Sequence, residues 1–176
     1  MRFVGRCYRG HDPGWSFSPL SGEGAAQTGG RFNAKGEPTL YLALDAMTAI
    51  GELTQGFAQR LHPLTLCEYD VDCEGIADLR DATERKRHGV LLESIACGWM
   101  GYLLRGEQAP SWLAASDLRA QGCNGVLVPS FAPGASTAQH NLVLWRWGAE
   151  PPCRVEVFDP DGRLPQNRLS WLHEDG

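Results

Sequence analysis

The chain has 176 residues, the length of a single globular domain with no room for a second. With 16 Lys and Arg against 21 Asp and Glu, the formal net charge of −5 lacks the cationic excess that backbone-driven nucleic-acid binding needs. Hydrophobic residues at 43% and charged residues at 21% supply a core and exclude an intrinsically disordered chain.

No apolar run approaches the roughly 20 residues that cross a bilayer, and Met1 to Arg6 lacks the apolar segment of a secretory signal, so a cytoplasmic, membrane-free protein is expected. The six cysteines, scattered without a Cys-x-x-Cys pair and partly in apolar runs, read as buried reduced thiols rather than zinc ligands or disulfides. In chain order, Phe3 to Tyr8 suits a first strand. Glycines and prolines then crowd residues 10–38, a stretch of turns that frames a function. Thr39 to Leu44 is a compact apolar strand, and Asp45 reads as the N-cap of a helix. That helix carries Ala46, Ala49, Ile50, Leu53 and Phe57 at three-four spacing and fades before His62-Pro63, about three turns in all.

Leu64 to Val71 alternates imperfectly and predicts another strand. The charge run Glu84 to His88 is a solvated face or the start of a helix rather than a nucleic-acid patch. Gly89 to Arg105 has helical spacing in Val90, Leu91, Ile95, Trp99, Tyr102 and Leu103, with Gly98 and Gly101 marking close packing. Pro110-Ser111-Trp112 opens a third helix that closes at Gly122, Gly125 to Val128 is a buried strand ending in Pro129-Ser130, and Phe131 to His140 is loop. Leu142 to Trp147 and Arg154 to Phe158 are the last strands. Strands at both ends, helices between them and late hairpin-like spacing predict an α+β fold, one domain over residues 1–160 with a mixed sheet and flanking helices. A doubly wound parallel sheet is the alternative. Residues 161–176 form a polar tail that either frays or docks through Leu164, Leu169, Trp171 and Leu172.

The common catalytic signatures are missing. Gly22 to Gln27 begins like a dinucleotide fingerprint but does not follow a strand, there is no phosphate loop, and the five histidines lie singly, so no metal is expected. The informative segment is Gly29-Gly30-Arg31-Phe32-Asn33-Ala34-Lys35-Gly36, where paired glycines admit close approach and two cations follow. It suits a diphosphate gripped by an Arg fork and a Lys charge, and equally an ordinary surface turn. Tyr41 offers either a stacking face or core packing; Glu52, off the apolar stripe of its helix, is either a functional carboxylate or a solvated one. Ser130 and Asn141 flank a Gly/Ser/Ala-rich loop and can converge on one end of the sheet, although ordinary turn chemistry explains each separately.

In order and spacing, these segments resemble the RES domain, named for an Arg, a Glu and a Ser that correspond to Arg31, Glu52 and Ser130. The resemblance runs through Cys7-Tyr8-Arg9, the Gly29 to Gly36 loop, Pro38 to Ala43, Glu52, Gly125 to Ser130 and Asn141, with Ala34 where the family often has Pro. It implies a bacterial toxin of a type II toxin–antitoxin pair, with a core like that of the diphtheria-toxin class of ADP-ribosyltransferases and NAD+ as substrate. The implied reaction releases nicotinamide and passes ADP-ribose to a protein side chain, or to water or phosphate. The implied partners are an Xre-type, helix-turn-helix antitoxin that covers the active site in a hetero-oligomer, and a protein target. On this resemblance Arg31 and Lys35 hold the diphosphate, Tyr41 packs against nicotinamide or its ribose, and Glu52 stabilises the cationic ribose. Arg9, Gly30, Asn33, Ser130 and Asn141 bind or position the dinucleotide. A non-catalytic nucleotide- or partner-binding module that uses the same loop is the rival of another class.

Overall fold

The computed structural model describes residues 1–54 and 63–169. Its strands are β1 (Phe3–His11), β2 (Leu40–Ala43), β3 (Thr65–Cys73), β4 (Ile76–Asp78), β5 (Gly125–Pro129), β6 (His140–Leu144) and β7 (Cys153–Val157). Its α-helices are α1 (Glu23–Thr28), α2 (Ala46–Thr54), α3 (Ala82–Arg87), α4 (Leu92–Ile95), α5 (Trp99–Arg105) and α6 (Pro110–Ala120). The period-two pattern decides the faces: β3 buries Cys67, Tyr69, Val71 and Cys73 and turns Leu66 and Asp70 outward.

The strands form one mixed sheet in the order β4-β5-β6-β2-β1-β3-β7. Only β4 and β5 run parallel, which excludes the doubly wound alternative and leaves the α+β reading. β1 pairs with β3 from Phe3–Cys73 to His11–Thr65, yet meets β2 only at Tyr8–Ala43. The sheet therefore splits between β1 and β2. One face packs Cys7, Leu40, Leu42, Tyr69, Leu142 and Leu144; the other packs Val126, Val128 and Val143 against Ile95, Ala115 and Leu118 from α4 and α6. Gly125 is required where β5 crosses β6, because a Cβ there would stand 2.4 Å from the Val143 carbonyl oxygen.

Several expectations need correction. The helix predicted over Gly89 to Arg105 is two helices, α4 and α5, broken at Ala96 to Gly98. The strand predicted over Leu142 to Trp147 is β6 from His140, shifted because the Trp145 and Arg146 amides both turn to the Asn124 carbonyl. Helix α1 lies inside the stretch read as turns, β4 was not predicted as an element, and the Glu84 to His88 charge run belongs to the helical alternative, in α3. Asp45 accepts from the Thr48 amide at 2.8 Å, as an N-cap does, while Phe57 and His62 fall outside the described residues. In the tail, Leu164 packs on the core and Leu169 is exposed; Trp171 and Leu172 lie outside the described residues. All six cysteines are free thiols, and burial pushes the Cys7 thiol up to about 12. Among the described residues no helix is long and apolar enough to cross a membrane, and no group of three His, Cys, Asp or Glu is placed to hold a metal.

Candidate functional site

The split in the sheet is the floor of a cleft of about 660 Å³, within the range of about 300–1,000 Å³ common for small-molecule sites. β1 contributes Arg9, β2 contributes Tyr41, α2 contributes Glu52, β6 contributes Asn141, and the loop after α1 contributes Gly30 and Arg31. Arg31 and Glu52 thus share one cavity although they come from different elements.

Glu52 is half-buried and its carboxylate is held through one oxygen. The Ser130 hydroxyl donates to Oε1 at 2.6 Å and the Asn141 amide donates to the same oxygen at 2.5 Å. Ser130 Oγ in turn accepts from the Ala132 amide at 3.3 Å, which fixes the direction of its proton. Among the described residues Oε2 has no hydrogen-bond partner, so the carboxylate is braced on one side and available on the other. Asn141 Oδ1 is itself buried without a partner among the described residues.

The cations of the cleft are anchored by neutral groups. Arg31 Nη1 donates to the Cys97 carbonyl at 2.5 Å and to the Ile95 carbonyl at 3.1 Å, and its guanidinium lies 4.5 Å above the Phe131 ring. Arg9 Nη1 donates to the Pro19 and Ser21 carbonyls at 3.0 and 2.9 Å. Burial lowers the pKa of both, with Glu52 acting to raise that of Arg31; an Arg keeps its charge through such shifts. Among the described residues neither forms an ion pair, so two positive charges line the cavity against the one carboxylate of Glu52.

Tyr41 lines the cleft, and its hydroxyl donates to Asn33 Oδ1 at 2.7 Å and accepts from the Phe32 amide at 3.0 Å. Gly30 is needed for that approach: a Cβ there would stand 2.5 Å from the Tyr41 hydroxyl. Asn33 is fully buried and donates to the Ala25, Ala34 and Glu37 carbonyls, so it holds the loop together and does not line the cavity. Ser130 reaches the cavity only through Glu52, and Lys35 is exposed and off the cleft wall. Sequence reasoning missed Phe131, one residue past Ser130, and the Trp112 and Trp145 indoles that bond the Arg31 loop at 2.8 and 3.0 Å. An aromatic directly after the Pro129-Ser130 strand end was the only signal in the sequence for any of them.

No functionally curated protein matches the chain. A chain of the crystal structure of the M. tuberculosis MbcT–MbcA toxin–antitoxin complex is similar in fold, with a TM-score of 0.59, 22% identity, and coverage of 90% of this chain and 84% of that one. The RES domain family matches residues 6–167, nearly the whole chain and every residue of the cleft named above, and the chain belongs to that family.

Proposed function

We propose that the cleft binds NAD+ and breaks its nicotinamide–ribose bond, and that the chain is the toxin of a bacterial toxin–antitoxin pair acting in the cytoplasm. The observation that carries this reading is the braced carboxylate of Glu52 in a cavity it shares with Arg31, a cation that forms no ion pair among the described residues. As the C1″–N bond breaks, its electron pair leaves with nicotinamide as a neutral base and positive charge develops on the ribose. A fixed anion beside that carbon stabilises the transition state more than the ground state. Arg31 and Arg9 offset the diphosphate charge, and the Tyr41 ring supplies a flat wall.

The acceptor is a protein side chain: its lone pair forms the new bond at C1″ and its proton passes to solvent. Among the described residues that line the cleft Glu52 is the only Asp, Glu or His, and it is already braced, which favours an acceptor that arrives as a nucleophile over water needing a second base. Mass spectrometry after incubation with labelled NAD+ and lysate separates the alternatives: a modified protein supports transfer, free ADP-ribose marks water, and ADP-ribose 1″-phosphate marks phosphate. The partner is an Xre-type antitoxin that covers the cleft, a reading supported by the likeness to a chain from a toxin–antitoxin complex.

The deciding experiment is nicotinamide release by wild type and Glu52→Gln. Gln keeps the shape and can still meet Ser130, so the fold stays while the rate falls about 10²–10³-fold, as for removal of one placed charge. A folded Glu52→Gln chain with the wild-type rate removes Glu52 from the reaction. Release by neither protein supports the non-catalytic binding module.

A further inference from the structure

We propose that Trp112, which does not line the cleft, is a positioning residue that sets the direction of Arg31. The two backbone dihedrals of Arg31 relate the peptide plane before it to the plane after it. The first plane is held by Trp112, whose indole N–H donates to the Gly30 carbonyl at 2.8 Å. The second is held by Tyr41, whose hydroxyl accepts the Phe32 N–H at 3.0 Å. One plane further on, the Trp145 indole donates to the Phe32 carbonyl at 3.0 Å. The backbone on both sides of the cation is therefore held by side chains of more rigid elements, and the residue itself remains a loop residue.

Trp112 is suited to this because α6 is a fixed reference. Ala115 and Leu118 of that helix are fully buried, and Trp112 is 8% exposed. The same helix steadies the far end of the side chain. Cys97, whose carbonyl accepts Arg31 Nη1, donates its thiol to the fully buried Ser111 hydroxyl at 3.4 Å. Neighbouring residues of one helix thus touch both the backbone from which Arg31 departs and the segment on which its guanidinium rests. The role rests on the reading of Arg31 as the diphosphate cation, but its geometric half can be measured without any ligand.

Amide hydrogen exchange is measured on ligand-free wild type, on Trp112→Phe, and on a chain carrying 3-benzothienylalanine at position 112. That isostere replaces the indole N–H by sulfur at nearly constant volume and covers the case in which Phe fails to fold. Loss of the donor speeds exchange at Phe32 by about tenfold while the β6 amides keep their protection. Calorimetric titration with ADP-ribose then gives about tenfold weaker binding, and for NAD+ turnover KM rises while kcat stays within about twofold, the pattern of lost uniform binding. On an Arg31→Ala background, Trp112→Phe causes no further loss of ADP-ribose binding, because the two act as one unit. Unchanged exchange at Phe32 in the folded variants, or full additivity with Arg31→Ala, overturns the positioning role. A wild-type chain that does not bind ADP-ribose overturns the NAD+ reading instead, and the exchange result still decides the geometry.

Discussion

His11 ends β1 with 8% of its surface exposed and Nε2 3.7 Å from the Cys67 thiol. Burial first, and the charge of Arg9 second, lower its pKa from 6.5 to about 4, while Asp12 pulls weakly the other way. The folded state therefore prefers the neutral ring. Between pH 6.5 and 4 the unfolded chain binds the proton and the folded one does not, so stability is full above that window and falls on acidification through it. The loss reaches about 2–3 kcal/mol. Urea midpoints taken from pH 7.5 to 4.5 should decline through this range, and His11→Gln should flatten the decline; an unchanged slope in that variant assigns it elsewhere. At this same scale, the sequence shows residue types but not their convergence. Arg31, Tyr41 and Glu52 were singled out from a Gly-rich loop, a strand and an off-stripe helix position, each with an ordinary structural alternative, and all three line the cleft. That Ser130 and Asn141 both bond Glu52 Oε1 joins positions far apart in the chain, which local spacing cannot reveal. Lys35 was singled out because it follows Arg31 in the chain, yet the Asn33-centred turn carries it off the cleft wall.

The join between α4 and α5 has consequences at the scale of elements. Helical spacing over Gly89 to Arg105 predicted one helix because apolar periodicity is nearly continuous across the break at Ala96 to Gly98. The break exposes carbonyls that a continuous helix would have bonded internally, and Arg31 takes two of them, Ile95 and Cys97. A local interruption is thus tied to a loop that sequence alone treats as remote. Helix α3, which the sequence left as one of two alternatives, is the opposite case, since its cap was written in the sequence: Asp81 accepts from the Thr83 and Glu84 amides, with Glu84 in the first turn and basic residues in the last. Arg31→Lys tests the join. Lys keeps the charge but loses the planar group that stacks on Phe131 while its Nη1 meets the Ile95 and Cys97 carbonyls. Leaving a carbonyl of that segment unmet costs about 1–3 kcal/mol. Hydrogen exchange across α5 should accelerate and ADP-ribose affinity should fall together. A variant with wild-type protection in α5 shows that the guanidinium does not hold the join.

Across the whole molecule, the sheet is continuous on each side of the cleft and thin in the middle. β1, β3 and β7 form one run of strand pairing, β2, β6, β5 and β4 form the other, and Tyr8–Ala43 is the single strand register between them. The sequence conveyed the strands and the α+β class but not this split, because register between strands distant in sequence is decided by packing rather than by local pattern. A ligand in the cleft touches both halves, Arg9 on one and Tyr41, Glu52 and Asn141 on or beside the other, so its binding energy adds to the seam where strand pairing is thinnest. Ligand that binds only the folded state at 100 times its Kd adds about 2.7 kcal/mol. For a domain of this size that corresponds to a Tm increase of roughly 5–10 °C. Glu52→Gln allows the measurement with intact NAD+, since the dinucleotide is not consumed during the scan, and ADP-ribose serves for wild type. Both are expected to raise Tm with concentration, and Arg31→Ala is expected to blunt the shift. Flat Tm values for both ligands up to millimolar concentration remove the cleft as a dinucleotide site, since a cavity spanning the seam cannot be filled without stabilising it.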